Sequence, residues 1–337
     1  MEKTSILITA VSAVALTTLL GFMMIPWLRR LKFGQVFNDI GPTWHQKKSG
    51  TPTMGGLMII CGVVLSLAIG FITYILKQPQ IMNDQYRQER FRLYMSVIIA
   101  LMFGLIGFVD DMMKIKNHQN LGLTAKKKLI PQVVIAVFYL FVMVKFGGAT
   151  TEWIFPFIGK VQLGWFYYPL SVFTIVGFVN AVNLTDGLDG LSSSVTFFYS
   201  LSMIIVSAVL GYVSTGLFAT AIAGACIGFL VWNFYPAKVF MGDTGSMFLG
   251  GAVVAMAFGV SYPVLLFLSG IVYLCEAFSD ILQIGYFKLT HGKRIFKMAP
   301  IHHHFELSGL SEIQIALLFS AVTICGGFLS FLCARAV

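Results

Sequence analysis

Four polar clusters interrupt a chain that is otherwise apolar: Asp110-Asp111, the run Asn183-Leu-Thr-Asp-Gly-Leu-Asp-Gly-Leu191, Phe240-Met-Gly-Asp-Thr-Gly-Ser246, and His302-His303-His304. Carboxylates, glycine turns and imidazoles are the groups that hold a hard cation and meet phosphate or sugar oxygens. Side chains adjacent on a helix diverge, so one of Asp110 and Asp111 is expected to face a site while the other orients Lys114 or Lys116 or binds metal. Asp186 and Asp189 are each followed by glycine, which lets the backbone turn tightly and approach a ligand closely. With Asn180 and Asn183 upstream and no Lys or Arg in the run, this loop favours a sugar, a base or a cation over a direct phosphate clamp. Asp243 lies between glycines just ahead of a predicted helix, whose free amides favour an anion while its carboxylate offers oxygen to Mg²⁺. The Gly-Lys-Ser/Thr of a nucleotide P-loop is missing. Three consecutive imidazoles point in different directions, so His302, His303 and His304 read as hydrogen-bond donors to phosphate oxygens rather than as joint ligands of one metal. Glu276, Asp280 and Gln283 recur at i, i+4 and i+7, a polar stripe expected to face a cavity instead of lipid.

The elements that position these groups are predicted to be membrane helices. The chain of 337 residues is 57% hydrophobic and 11% charged, against about 25% charged in a soluble domain. An all-α polytopic membrane protein of a single domain, 1–337, follows, and nucleic-acid binding has no part in it. Ten transmembrane helices are expected near 5–28, 53–76, 93–109, 129–146, 166–182, 193–211, 217–234, 246–261, 264–286 and 313–333. The last two apolar runs before the histidines are nearly continuous, and Tyr262-Pro263 marks the turn between them. The order of charges around the first run is that of a retained helix with its N-terminus outside, and ten spans then put the C-terminus outside as well. This topology gathers Arg29, Arg30, Lys32, Lys47, Lys48, Lys114, Lys116, Lys126 to Lys128, Lys238, Lys288, Lys293, Arg294 and Lys297 on the inner face, together with all four polar clusters. Arg87, Arg90 and Arg92 stand against the pattern as external loop charges, balanced in part by Asp84 and Glu89. Residues 152–168 read as a small external β-hairpin around Ile158-Gly159-Lys160. The five cysteines lie in apolar runs and are expected to be small buried hydrophobes.

Taken together, Gly50-Thr-Pro-Thr-Met-Gly-Gly56, the aspartate pair, the two glycine-aspartate motifs and Met298-Ala-Pro-Ile-His-His-His-Phe-Glu306 resemble the polyprenyl-phosphate N-acetylhexosamine-1-phosphate transferase superfamily from the first span to the last. The histidine motif is similar to that of its branch acting on UDP-N-acetylmuramoyl-pentapeptide. The resemblance implies transfer to undecaprenyl phosphate, giving lipid I and UMP, with Mg²⁺ as cofactor, in a bacterial plasma (inner) membrane with the active site facing the cytoplasm. It implies Asp110 as base or orienter of the lipid phosphate, Asp111 as its partner, Asp243 as the Mg²⁺ ligand and His302 as a phosphate or catalytic group. Phe240 would stack on uracil, with Asn180, Asn183, Leu184, Asp186, Gly187, Asp189, Asn233 and Gln283 in the nucleotide site. Lys48, Thr53, Lys114 and Lys126, with His303 and His304, would meet phosphate or the sugar-peptide. Similar proteins form homodimers. Two other readings remain: a sister transferase using UDP-N-acetylglucosamine, and a secondary transporter, whose polar site would lie nearer the midplane.

Overall fold

The computed structural model describes residues 3–30, 50–117 and 122–337; Lys48 lies outside them. Twelve helices are present among these residues. Helix α1 (Lys3–Arg30) buries Ser5, Thr9, Ala13, Thr17, Gly21, Ile25 and Leu28, while Leu7, Val11, Leu19, Phe22 and Met23 face outward. Small residues inside and large apolar ones outside are what lipid exposure requires, because close backbone approach replaces the hydrophobic drive between helices. Thr17 packs on Gly62 and Thr9 on Gly70 of α2 (Gly56–Lys77), so those helices are antiparallel. Gly224 and Gly228 of α7 (Val213–Asn233) meet Ala13 and Thr17 in the parallel sense.

Helix α8 (Gly242–Gly259) is the centre of the bundle, buried from Thr244 to its end. Its glycines admit the neighbours: a Cβ on Gly251 would lie 2.8 Å from Ala100 Cα in α3 (Arg87–Asn117), and one on Gly250 2.9 Å from Val179 Cα in α5 (Tyr167–Thr185). Helices α2, α6 (Leu191–Leu210) and α7 also pack on it, while α4 (Ala125–Phe146) lies against α3 and α5, α10 (Ile271–Leu289) against α5 and α12 (Glu312–Arg335) against α6. The expected break after α8 is present: Ser261 adopts φ +55°, Tyr262 and Pro263 follow, and a short α9 (Leu265–Ser269) precedes α10.

Eight helices among the described residues are long and apolar enough to cross a membrane. The expected spans 246–261 and 264–286 correspond to α8 and α10, which are not among the eight. Helix α8 is rich in glycine and alanine because it faces protein, and α10 carries Glu276, Asp280 and Lys288. Helix α3 runs well past the expected end at 109, so Asp110 and Asp111 lie inside it rather than at its terminus.

The bundle has two polar ends. Arg92 and Asp110, on the same helix, are 18 residues apart, or about 27 Å, close to the thickness of a bilayer core. Arg92, expected as a loop charge, is buried: it donates to Gly147 O (2.8 Å), Gly259 O (2.6 Å) and Ser261 Oγ (2.8 Å), and stacks over the Tyr212 ring. It thereby satisfies carbonyls at the C-terminal ends of α4 and α8. Glu89 bonds Ser214 rather than balancing an arginine. The expected hairpin lies at this end, β1 (Glu152–Phe155) pairing antiparallel with β2 (Gly159–Gln162). Of the cysteines, Cys226 is buried in protein, but Cys61, Cys275 and Cys325 are on outer helix faces, where an apolar side chain meets lipid instead of core.

Candidate active site

The opposite end gathers the chemistry. Segment 50–56 docks on the chain leading into α8: Phe240 N donates to Pro52 O (2.8 Å), and the amides of Gly55 and Gly56 donate to Phe240 O and Met241 O (both 2.9 Å). Two glycines make this contact, since a Cβ on Gly56 would lie 2.2 Å from Gly245 Cα. Gly242 turns the chain at φ +72° beside Thr53 and Asp111, and Asp243 falls in the first turn of α8.

Asp111 caps that helix. Its carboxylate accepts from Asp243 N (3.2 Å), Thr244 N (2.8 Å) and Thr244 Oγ1 (2.7 Å), using the amides left free at a helix start. Asp110 accepts from Leu123 N (2.6 Å) and pairs with Lys114 Nζ at 2.7 Å, one turn along α3. Asp110 is thus the acid that holds a lysine, while Asp111, itself 3.9 Å from Lys114 Nζ, takes a helix-capping role that the sequence reading did not include. Lys114 also reaches Asp243 Oδ2 at 2.7 Å. Asp110, Asp111 and Asp243 each offer an oxygen, all within 4.8 Å of one another, a hard-oxygen donor set that could hold a divalent cation.

Helices α4 and α5 complete this cluster. Lys128 Nζ lies 3.1 Å from Asp243 Oδ2 and 3.3 Å from Asn183 Oδ1. Asn183 Nδ2 donates to Asp243 Oδ1 and to Ser246 Oγ, both at 2.7 Å. One turn back on α5, Asn180 exchanges hydrogen bonds with Gln132. Lys126 is exposed, about half a turn of α4 away from Lys128. Sequence reasoning missed Lys128. The available signal was Gln132, a lone polar residue in an apolar helix, because a group four residues before it shares its face.

The glycine-aspartate loop forms a wall of the site. Leu184, Asp186 and Phe240 are half-buried, and Gly187 is exposed. Burial, then repulsion from the Asp243, Asp111 and Asp189 carboxylates, pushes the Asp186 carboxyl well above the usual carboxylate range. Asp189 and Asn233 brace backbone: Asp189 Oδ2 accepts from Ala237 N (2.9 Å), Asn233 Oδ1 accepts from Gly190 N (3.1 Å), and Asn233 Nδ2 donates to Val239 O (2.9 Å). The Asp189 amide donates to Glu312 at the start of α12 (2.9 Å).

The histidines occupy a short helix, α11 (Ile301–Glu306). Their Nδ1 atoms take three different partners, His302 Nδ1 lying 2.9 Å from Glu276 Oε2, His303 Nδ1 3.1 Å from Glu306 Oε2, and His304 Nδ1 accepting from Lys297 N at 3.2 Å, but the His302 and His303 rings do not diverge: their centroids are 4.2 Å apart. The stripe on α10 faces this helix and the segment before it. Gln283 Oε1 accepts from the amides of Ile295 (3.1 Å) and Phe296 (3.0 Å), and its Nε2 donates to Phe296 O (3.1 Å). Gln283 and His304 thus hold the basic segment in shape, and His302 packs under Gly187.

A model of glycosyl transferase family 4 matches residues 93–261, and the phospho-N-acetylmuramoyl-pentapeptide-transferase signature 1 matches 48–60. Among curated proteins, the chain is 46% identical over 319 residues to a phospho-N-acetylmuramoyl-pentapeptide-transferase of Bacillus pumilus, covering 95% of this chain and 94% of that protein. It is 43% identical over 324 residues to the enzyme of that name from Halalkalibacterium halodurans, covering 96% and 95%. The one from Clostridium perfringens is 42% identical over 332 residues, covering 98% and 97%.

Proposed function

We propose, from the premise that this chain belongs to glycosyl transferase family 4 and to its phospho-N-acetylmuramoyl-pentapeptide-transferases, that it transfers phospho-N-acetylmuramoyl-pentapeptide from the UDP-linked donor to undecaprenyl phosphate. The products are lipid I and UMP, and the reaction is the first membrane step of peptidoglycan synthesis. The observation that carries the reading is the cluster of three aspartates with Lys114 and Lys128 at one end of an apolar bundle. An oxygen of undecaprenyl phosphate bonds to the sugar-linked phosphorus as the bond to the UMP oxygen breaks, and UMP leaves with that electron pair. Two anions must meet, so their repulsion has to be offset where charge develops.

Mg²⁺ is the cation that best suits the three carboxylates, Asp243 first among them, and when bound it supplies charge to screen the phosphates. Lys114 and Lys128 are placed to exchange carboxylate for phosphate oxygens. Asp110, tied to Lys114, orients the lipid phosphate, and Asp111 keeps the first turn of α8 in register with it. Phe240, Leu184 and the Asp186–Gly187 turn receive the nucleotide. Asn180, Asp189, Asn233 and Gln283 support that region from behind, Thr53 and Lys126 face the sugar-peptide, and Lys48, outside the described residues, is assigned to it by the motif alone. His303 meets phosphate oxygens, with His302 acting from beneath the nucleotide loop and His304 holding the basic segment.

We further propose that α8 and the α9–α10 unit complete ten membrane passages, with both termini outside and the site facing the cytoplasm of a bacterial plasma membrane, in a homodimer. Arg29, Arg30, Lys114, Lys116, Lys128, Lys238 and the basic residues of 288–297 at the site end support that orientation. Purified protein in detergent with undecaprenyl phosphate and Mg²⁺ is expected to release UMP from UDP-N-acetylmuramoyl-pentapeptide and not from UDP-N-acetylglucosamine. Release from the second nucleotide alone would overturn the assignment, and release from neither would favour a transporter.

A further inference from the structure

We propose that Glu276 is a positioning residue that fixes His302 with its proton on Nδ1 and its Nε2 set against the Asp186–Gly187 turn, so that the pair places the loop receiving the nucleotide. The inference rests on the reading of that loop as the nucleotide site. Glu276 on α10 is 0% exposed and His302 on α11 is 1% exposed, so neither is a surface group. Their 2.9 Å contact joins Nδ1 to a carboxylate oxygen. With the Glu276 oxygen as acceptor in this contact, Nδ1 is the nitrogen that carries the proton. Unaided imidazole prefers its proton on Nε2, and Glu276 reverses that preference.

The other ring nitrogen points at the loop. A Cβ on Gly187 would lie 2.2 Å from His302 Nε2, so the ring touches the turn through the space that a side chain would fill. Nε2 is buried and has no hydrogen-bond partner among the described residues, and neither has Glu276 Oε1. Unpartnered polar atoms this deep destabilise a fold and call for a functional reason. The surrounding charges do not supply a second anchor. Asp280, one turn along α10, acts on His302 and His303 through space, and Glu306 binds His303. Glu276 is the one carboxylate in contact with the His302 ring among the described residues.

The test combines nitrogen NMR of ¹⁵N-histidine-labelled full-length protein in detergent with steady-state kinetics, the His302 signals being assigned from His302→Gln. Wild-type protein is expected to show a protonated Nδ1 at His302, and Glu276→Gln a shift of that proton towards Nε2. Glu276→Gln should also raise KM for the nucleotide by at least about 10-fold, the scale seen when a histidine loses its orienting partner. KM for undecaprenyl phosphate should stay within about threefold on the same scale, and Glu276→Asp should recover part of the loss. A wild-type His302 protonated on Nε2 alone, or a Glu276→Gln enzyme with unchanged nucleotide KM, would overturn the proposal. The nitrogen spectrum needs no turnover, so a wrong nucleotide assignment would leave its result readable.

Discussion

Neighbouring residues at this site have separate work because helix geometry separates them. Asp111 directs its carboxylate to the amides of α8, while Asp110, about 100° further round the same helix, holds Lys114. The same rule sorts the lysines of α4, since Lys128 meets Asp243 and Lys126 is exposed. Lys128→Ala is therefore expected to lower kcat by about 100-fold or more, the range for removing a preorganised charge from a transition state. Lys126→Ala should act mainly on nucleotide KM; UMP-release kinetics distinguish the two, and equal effects would contradict the division. Asp186 yields a pH prediction. Its folded-state carboxyl titrates above the unfolded one, so the stability it contributes is present below the unfolded pKa, about 4, and is lost as pH rises through the raised value. Asp186→Asn should then unfold at higher temperature than wild type at neutral pH, with the gap closing below about pH 4. Thermal unfolding in detergent at both pH values checks this, and a neutral-pH loss of stability would count against it.

Elements meet here through glycine. Gly107 lets α3 lie against the start of α8, and a Cβ there would sit 2.0 Å from Asp243 O. Gly107→Ala should separate the aspartates of α3 from Asp243, costing about 1–3 kcal/mol of stability as overpacking does and most of the turnover. Full activity with unchanged thermal unfolding would show the contact to be slack. Apolar runs of span length made the bundle and the turn at Tyr262-Pro263 legible in the sequence, and the stretch around Ile158-Gly159-Lys160 made the hairpin so. What escaped depended on a distant partner. Arg92 reads as a loop charge until carbonyls of α4 and α8 arrive beside it, and Asp111 reads as an acid that faces a site, orients a lysine or binds metal until α8 presents its amides. Helix α8 falls short of a lipid-facing span because it begins with the polar Gly242-Asp243-Thr244-Gly245-Ser246 of the site, and its enclosure by other helices is a property no local window contains.

At the scale of the whole molecule, one end is braced and the other is chemical. Arg92 and the hairpin close the first, while segment 50–56 and helices α3, α4, α5, α8, α10 and α11 send polar groups to the second. The aspartates sit on α3 and α8, two long helices packed on each other, which couples assembly of the bundle to assembly of the carboxylates. The separation of the two ends by about the thickness of a bilayer core puts the cluster at the boundary where lipid gives way to water, within reach of both an apolar acceptor chain and a water-soluble donor. The central claim is that Asp243, joined by Asp110, Asp111, Lys114 and Lys128, is where the phosphoryl group moves. Its most direct test is Mg²⁺-dependent UMP release by Asp243→Ala that keeps wild-type helicity and elution in detergent: the account predicts loss of at least about 100-fold, and near-normal turnover in that variant would contradict it.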